Sequence, residues 1–283
     1  MARRIGREAS LVAETAQAGV WSDLREIVGE LVTYRELLFR MVHRDLLIRY
    51  KQTVMGLGWA VFMPIVNTAI FSLVFMRVAP IDTGMPYPLY AFSGLLMWNA
   101  FATSAKFAVN SLTSNPNLVT KVYFPREIFP LSALLVSTVD SLVSFVLLAA
   151  VMAYYHVVPT AAILLLPVVV LVQITFTAAL GLVLAMANLF YRDVKYLFDA
   201  AITVWMFATS VVYPVERIGG RLGQIVLTLN PMAPIIEAFR SVVIRGVLPD
   251  PHTFLPAAIG SFIALIVASV AFHRAEFKFA ENI

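Results

Sequence analysis

The chain has 283 residues, of which 60% are hydrophobic and only 13% are charged, and its formal net charge is +4 at pH 7. With a mean hydropathy of +0.83, this composition lies well outside that of a soluble domain and predicts an integral membrane protein. The absence of cysteine excludes a disulfide framework, a thiolate metal site and a cysteine nucleophile.

The positive charge is expected to face anionic membrane lipids, so no nucleic acid partner is needed to explain it. Lysine and arginine concentrate in the first 51 residues and in short polar loops. The first 20 residues contain arginines but no long apolar stretch, which predicts a cytoplasmic N-terminus without a cleavable signal peptide. We expect residues 1–30 to form a cytoplasmic segment that is disordered or loosely helical at its start.

Residues 31–51 have the pattern of an amphipathic helix at the membrane surface. When the sequence is wound at about 100° per residue, one side is largely charged and the other largely apolar. Arg35, Asp45 and Arg49 interrupt the apolar side, and the spacing of the last two would allow an ion pair. We expect these charges either to snorkel at the interface or to contact a partner or the chain's own loops.

Residues 52–283 are predicted to form an all-α domain of six membrane-spanning helices. At about 1.5 Å per residue, the uncharged stretch 52–76 is long enough to cross a hydrocarbon core of about 30 Å. The predicted spans are residues 52–76, 89–108, two helices within 128–191, 200–215 and 252–272. Asp140 is the only acid deep in a span. Without a basic partner in a neighbouring span, it is expected to be structural rather than a proton relay.

A polar segment, NSLTSNPNLVTKVYFPREIFP at residues 110–130, separates the second and third spans. Its prolines interrupt helices and its charges keep it outside the hydrocarbon. Between the prolines lies a short amphipathic segment that we expect to end in exposed aromatic residues, Tyr123 and Phe124. Such a segment suits binding to a partner protein, and the alternative is a capped loop on the membrane surface.

Residues 216–250 are predicted to form two short amphipathic helices before the last span. Asn230 and Pro231 supply the N-cap and first position of the second helix, and Gly246 ends it. The second helix is only about 22 Å long, too short to span, so a re-entrant or surface hairpin is expected. Glu237 and Arg240, three residues apart, can pair.

Six spans place both termini on the same side of the membrane, and the charges favour the cytoplasm. This orientation leaves five arginines outside and every other lysine and arginine inside, in agreement with the positive-inside rule. The outer arginines are Arg77, Arg217, Arg221, Arg240 and Arg245. The segment 110–130 then faces the cytoplasm.

Two motifs of enzymes are missing from the sequence. No lysine follows a glycine, so the chain lacks the GxxxxGK[ST] phosphate loop and is not expected to bind ATP by that route. The four histidines are scattered without an HExxH or paired spacing, so no metal site is expected.

Three motifs in order resemble the membrane-spanning (permease) subunit of type 2 ABC transporters of the polysaccharide export family, which export O-antigen, teichoic acid or capsule. The motifs are RDLLIRYKQTVMGLGWAVFMP, NPNLVTKVYFPREIFPLS and LNPMAPIIEAFR. The resemblance covers residues 31 to the C-terminus. It implies a homodimer in the cytoplasmic (inner) membrane that binds two copies of a cytosolic ABC ATPase. ATP and Mg²⁺ would bind to the ATPase, and this chain would have no catalytic residue or cofactor. The substrate would be a polyprenyl-diphosphate-linked polysaccharide.

Two other functions remain open at this point. A type 2 exporter of a drug or small lipid would share the six-span plan. A membrane-embedded polyprenyl-sugar transferase would need acids or histidines that converge near one interface, and the solitary Asp140 and scattered histidines argue against it.

The resemblance also implies roles for individual residues. The coupling helix that contacts the ATPase would comprise Asn115, Asn117, Leu118, Lys121, Tyr123, Phe124 and Arg126, with Tyr123 and Phe124 as aromatic anchors. The interface helix at the cytoplasmic entrance would contain Arg44, Asp45, Arg49, Tyr50 and Lys51. The gate helices on the outer side would contain Asn230, Pro231, Pro234, Glu237 and Arg240.

A sugar path would be lined by aromatic side chains, because carbohydrate slides across flat aromatic faces without a fixed hydrogen-bond pattern. The candidates are Trp59, Phe62, Phe71, Phe75, Trp98, Phe101, Trp205, Phe207 and Tyr213. Phenylalanine in a span also commonly faces lipid or a packed neighbour. Arg44 and Arg49 could meet the lipid diphosphate, and attraction to anionic headgroups would explain them equally well.

Overall fold

The N-terminal region forms two consecutive helices rather than the single predicted one. The computed structural model describes residues 19–51, 55–56, 58–121, 124–209, 211–214 and 230–279, and regular structure in these ranges is helical. Helix α1 (Val20–Thr33) and helix α2 (Arg35–Tyr50) are separated at Tyr34, whose backbone leaves helical geometry at φ −94° and ψ 16°. The predicted helix start at residue 31 is therefore wrong, since α1 begins eleven residues earlier.

Long helices follow, joined by short connections. In chain order they are α3 (Gly58–Leu73, continued by a π-helical turn at Val74–Val78), α4 (Tyr87–Ser111), the short α5 (Pro116–Lys121), α6 (Ile128–Tyr154), α7 (Leu166–Phe190, preceded by a 3₁₀ turn at Ala161–Leu165), α8 (Val194–Ala208), α9 (Met232–Arg240, continued by a π-helical turn at Ser241–Arg245) and α10 (Pro251–Ala275, followed by a 3₁₀ turn at Glu276–Lys278).

Four helical segments among the described residues are long and apolar enough to cross a membrane. They are Gly58–Val78, Ile128–Tyr154, Ala161–Phe190 and Pro251–Lys278. These segments confirm a multi-pass membrane protein and match four of the predicted spans.

Helices α4 and α8 depart from the predicted second and fifth spans. Helix α4 is 25 residues long and exceeds the predicted 89–108 at both ends. Helix α8 occupies residues 194–208 instead of the predicted 200–215 and has only 15 residues. At about 1.5 Å per residue it is about 22 Å long, shorter than a typical hydrocarbon core.

Helix α4 is the centre of the packing. It contacts α3, α6, α7, α8 and α9. The side chains of Leu89, Phe92, Trp98 and Phe101 on α4 are buried in the main apolar cluster, which also includes Phe239 of α9. Because neighbouring helices cover α4, it can carry a more polar sequence than a helix that faces lipid.

A second apolar cluster lies beyond the C-terminal end of α4. It joins Leu112 and Phe124 to Ile128 at the start of α6 and to Phe272 and Phe279 near the C-terminus. Met41 of α2 is buried in this cluster, with Leu31, Tyr34 and Leu38 packed against it. Part of the apolar side of the N-terminal helices therefore packs against the chain itself. Ile48 remains 68% exposed.

Helix α9 confirms the second of the two predicted short helices. Asn230 Oδ1 accepts a hydrogen bond from the Met232 amide at 3.2 Å, and Gly246 ends the helical segment in the left-handed conformation at φ +68°. The first predicted short helix falls on residues 216–229, which lie outside the described residues.

Candidate coupling and transport sites

Helix α5 presents a polar surface away from the rest of the chain. Asn117 and Lys121 are exposed and Leu118 is half-buried, whereas Val119 is buried in the second apolar cluster. One face of α5 thus anchors the helix to the protein and the opposite face is open. This is the arrangement that a docking helix requires.

Asn115 fixes the start of α5 and links it to the N-terminal helices. Its carbonyl accepts the Leu118 amide at 3.1 Å, and its side-chain Nδ2 donates to the Ser111 carbonyl at 2.9 Å. Arg44 Nη2 of α2 donates to Asn115 Oδ1 at 3.3 Å. The structure therefore brings a residue of the predicted interface helix together with one of the predicted coupling helix.

Phe124 is not an exposed anchor. Its side chain is 5% exposed, and its ring centroid lies 5.4 Å from that of Phe129. Phe272 and Phe279, which are distant in sequence, belong to the same apolar cluster. The prediction of an exposed aromatic end is wrong at this residue, because the C-terminal region covers it. Tyr123 lies outside the described residues.

Arg126 and the neighbouring Glu127 belong to a charged cluster at the C-terminal end of α10. Arg126 Nη1 lies 2.7 Å from Glu276 Oε1, and His273 Nδ1 lies 3.3 Å from Glu127 Oε1. The sequence predicts a role for Arg126 but none for Glu127, His273 or Glu276. The only local signal is that both segments, PRE at 125–127 and HRAE at 273–276, carry basic and acidic residues close together.

The same cluster reaches helix α1 and carries more acid than base. Arg274 Nε donates to Asp23 Oδ2 at 2.8 Å, and His273 Nε2 lies 3.9 Å from Glu26 Oε2. Burial, followed by the carboxylate of Glu127, raises the pKa of Glu30 on α1. We name this set the ion cluster. It comprises Asp23, Glu26, Arg126, Glu127, His273, Arg274 and Glu276.

Three members of the ion cluster have the composition of a metal site. Glu127, His273 and Glu276 place possible ligand atoms within 4.8 Å of one another. The Arg126 guanidinium already supplies a positive charge to Glu276, and a protonated His273 would supply one to Glu127. Since the chain's own cations neutralise these carboxylates, we assign no metal to them.

Asp140 on α6 pairs with the interface helix, so the expectation that it lacks a basic partner is wrong. Arg49 Nη1 and Tyr50 Oη of α2 both donate to its carboxylate. Burial, followed by the hydrogen bond to Asp140, raises the pKa of Tyr50 to about 12, so its hydroxyl keeps its proton at neutral pH. The Arg49 guanidinium also lies 4.0 Å from the ring centroid of Phe107.

Asp45 forms its ion pair with Arg44 rather than with Arg49. Arg44 Nη2 lies 2.8 Å from Asp45 Oδ1. The predicted pair of Asp45 with Arg49 is therefore wrong, because Arg49 turns toward α6. Lys51 is exposed at the end of α2.

Two cavities that contain polar side chains share Arg49 in their lining. The first, of about 420 Å³, is lined by residues of α2, α3, α4 and α6, among them Trp59, Asn67, Asn99 and Asp140. We name residues 110–130 the coupling segment after their predicted role. The second cavity, of about 460 Å³, lies nearer this segment, and its lining includes Arg44, Asn110, Asn115 and Ser132.

Several predicted channel residues pack inside the chain. Trp98 and Phe101 are 3% and 0% exposed. Their ring centroids lie 6.2 Å and 5.2 Å from that of Trp205. Phe71, Phe75 and Tyr213 are half-buried against the main apolar cluster. In a single copy of the chain these residues form packing contacts rather than an open path.

Other predicted channel residues face outward. Trp59, Phe62 and Phe207 are 42%, 45% and 47% exposed, and the rings of Trp59 and Phe62 meet edge to face at 5.8 Å. These side chains offer aromatic surface to lipid, substrate or a second copy.

The gate residues are mostly buried between α4 and α9. Arg240, 1% exposed, donates to the carbonyls of Tyr90 at 3.3 Å and Val211 at 2.6 Å, and its guanidinium stacks over the Tyr90 ring at 3.6 Å. Glu237 lies 3.5 Å from Arg240 and 2.5 Å from Arg245, which confirms the predicted pair.

The two prolines and the asparagine before them complete this region. Pro231 is half-buried and Pro234 is buried. Asn230 Oδ1 accepts a hydrogen bond from Trp205 Nε1 at 3.0 Å, which ties the start of α9 to α8.

Known proteins are similar to this chain over most of its length. A family described as ABC-2 type transporter matches residues 36–244. The chain is 33% identical over 259 residues to the O-antigen export system permease protein RfbA of Myxococcus xanthus, covering 91% of this chain and 99% of that protein. It is 28% identical over 247 residues to the protein of the same name from Klebsiella pneumoniae, covering 87% and 94%.

The family match covers most of the chain and includes the segments described above, from α2 through the coupling segment to α9. Its members are transport subunits, and ATP hydrolysis resides on a separate subunit. The chain therefore belongs to the ABC-2 type transporter family and is a multi-pass membrane permease that works with an ATPase subunit.

Proposed function

We propose that this permease moves a polyprenyl-diphosphate-linked polysaccharide, of the O-antigen, teichoic acid or capsule type, across the cytoplasmic membrane. The observation that carries the proposal is the similarity to O-antigen export permeases along nearly the whole of both chains. The O-antigen export for which these relatives are named favours polysaccharide over a drug or small lipid as the substrate. It also favours transport over sugar transfer.

The proposed topology has six spans with both termini in the cytoplasm. Helix α4, at 25 residues, is about 37 Å long and can cross the bilayer inside its ring of neighbours. Helix α8 would belong to the fifth span. The excess of lysine and arginine over acidic residues in α2 and in residues 110–130 supports a cytoplasmic position for these two segments.

The proposed assembly is a homodimer with two copies of a cytosolic ABC ATPase, which binds ATP and Mg²⁺. The open face of α5 would enter a groove on the ATPase. Helix α3 is largely exposed in a single copy of the chain, and Phe62, Ile70 and Leu73 are among its exposed apolar side chains. A second copy or lipid must cover this surface, and the proposed dimer would provide the second copy.

The proposed substrate path combines the outward aromatic residues with the polar cavities. In a dimer, Trp59, Phe62 and Phe207 would offer sugar a continuous aromatic surface with weak, non-specific contact. Arg44 and Arg49, which line the cavity near α5, would meet the lipid diphosphate at the cytoplasmic entrance. The gate helices would close the path on the outer side.

Loss of this chain from its host tests the function. We expect lipid-linked polysaccharide to accumulate inside the cell and to disappear from the surface, as measured by immunoblots of intact and lysed cells. The purified chain alone should not hydrolyse ATP, and a Walker lysine variant of the ATPase should reproduce the deletion. Normal surface polysaccharide in the deletion strain would contradict the proposal.

Charge reversal on α5 tests docking to the ATPase. Asn117→Asp combined with Lys121→Glu should reduce co-purification of the ATPase at least about tenfold, because both side chains are exposed and a rim charge steers association. Arg40→Glu is the control, since Arg40 is 76% exposed on α2 and lies outside the proposed contact. Equal recovery of the ATPase with both variants would remove α5 from the interface.

A further inference from the structure

The segment after α5 is attached to the last helix at two adjacent residues of opposite charge. Arg126 pairs with Glu276 at 2.7 Å, and Glu127 pairs with His273 at 3.3 Å. The Arg126 backbone amide also donates to Glu276 Oε1 at 3.2 Å. Two adjacent ion pairs of opposite polarity fix the register of the two segments. If residues 126–127 shifted by one position, Glu127 would face Glu276 or Arg126 would face His273.

Four members of the ion cluster are shielded from water, so the attraction between their charges is weakly screened. The side chains of Arg126, Glu127, His273 and Glu276 are 14%, 2%, 15% and 12% exposed. Within the part of the chain that the structure describes, Glu127 Oε2 and Arg126 Nε have no hydrogen-bond partner. Removing one charge from such a cluster leaves its partner uncompensated in a low-dielectric site.

Apolar contacts reinforce the same attachment. Phe124 and Ile128 flank the charged pair in sequence, and both belong to the second apolar cluster with Phe272 and Phe279. The coupling segment and the C-terminal end of α10 are therefore expected to move as one body. Sequence alone does not reveal this, because Glu127 and His273 are 146 residues apart.

The other end of α10 reaches the gate region. Helix α10 packs against α9, and Phe254 in its first turn packs against the main apolar cluster that contains Phe239 and Val242. Helix α10 has 25 residues, a length of about 37 Å. A single helix thus connects the ion cluster to the proposed gate segment, which comprises α9 and the π-helical turn that follows it.

We infer that Arg126, Glu127, His273 and Glu276 are positioning residues that transmit displacement of α5 through α10 to the gate. This inference rests on the proposed docking of the ATPase at α5. The ion cluster makes no contact with substrate in this scheme. Because the ion cluster attaches residues 126 and 127 to the end of α10, a displacement of α5 would also displace the last helix.

The test measures movement at the gate end, independently of the substrate. Because the chain has no cysteine, Leu248→Cys creates a unique labelling site where the side chain is 71% exposed, just before α10. A bimane label there should report a fluorescence change when the complex with its ATPase is trapped with ATP and vanadate. The variants are Arg126→Glu, Glu276→Arg and the double swap, with Arg40→Glu as an exposed control whose partner is Glu36.

Each single variant should lower the fluorescence change at least about fivefold and export at least about tenfold, while the ATPase still co-purifies and hydrolyses ATP. The double swap should restore both signals to within about threefold, because it re-forms the pair with reversed polarity. A merely structural role would instead reduce ATPase recovery in parallel with export. If the single variants do not accumulate in the membrane, the fluorescence change and export of the double swap alone test the inference.

The inference is overturned if the single variants keep the full fluorescence change, or if the double swap accumulates without it. Its failure is distinct from failure of the proposed function. An unmodified complex that gives no ATP-dependent change and no polysaccharide export would reject the proposed function itself. A normal unmodified complex with unaffected variants rejects only the role of the ion cluster.

Discussion

Replacement of Gly94 by alanine is expected to destabilise the protein by about 3 kcal/mol, since overpacking and the loss of buried hydrogen bonds act together. A Cβ atom at this position would lie 2.2 Å from the Val211 carbonyl oxygen and 2.3 Å from Arg240 Nη2. Neither atom can yield easily, because one belongs to the backbone and the other donates to it at 2.6 Å. The measurement is thermal and denaturant unfolding of the detergent-solubilised protein.

Two other helical glycines give a graded comparison. At Gly181 the added Cβ would lie 3.0 Å from the Ala108 Cβ, and at Gly260 nothing lies within 4 Å. Gly181→Ala should therefore cost less than Gly94→Ala. Gly260→Ala should be neutral or stabilising by up to about 1 kcal/mol, because alanine favours a helix over glycine. Equal stability of the Gly94 and Gly260 variants would show that α4 and α9 do not approach as closely as described.

The close contact at Gly94 determines how α9 is attached to the central helix α4. Because the glycine leaves room for the guanidinium, Arg240 can insert between α4 and the chain at Val211. Tyr90 stacks on it and Ser93 Oγ accepts from its Nε at 3.4 Å. Helix α9 is thus attached to the central helix by a buried guanidinium, and any displacement of the proposed gate segment would have to keep that guanidinium paired.

Features set by local sequence were predictable. Hydrophobic length identified four segments long enough to span a membrane. The helical segment around α9 begins one residue after the predicted position and ends at Gly246 as predicted, and Glu237 and Arg240 pair at their local spacing. These depend on propensity, capping and helical periodicity, which act over a few residues. The break at Tyr34 was missed, because the pattern of apolar residues continues on both sides of it.

Features that depend on distant residues could not be read from periodicity. Phe124 looks like an exposed aromatic residue in sequence, but residues near the C-terminus bury it. Trp98 was assigned to a channel by its residue type, whereas its neighbours on α8 and α7 enclose it. In each case the partner is brought close by the fold, and no local pattern encodes that.

The pair of Arg49 with Asp140, whose residues are 91 apart, provides the second prediction. Asp140→Asn should destabilise the protein by about 2–3 kcal/mol, because it leaves the guanidinium of Arg49 uncompensated at a site only 19% exposed. Arg49→Met should cost a similar amount, since it leaves the carboxylate without its cation. Thermal unfolding in detergent provides the comparison, and Arg40→Gln is the control because its pair with Glu36 is exposed.

The double variant Arg49→Met with Asp140→Leu separates structure from transport. Replacing both charges by apolar side chains is often neutral or stabilising, so the double variant should be more stable than either single variant. If Arg49 only holds α2 against α6, the double variant exports polysaccharide normally. If Arg49 also meets the lipid diphosphate at the cavity that it lines, the double variant is stable, binds the ATPase and fails to export. A double variant less stable than both single variants would contradict the pairing itself.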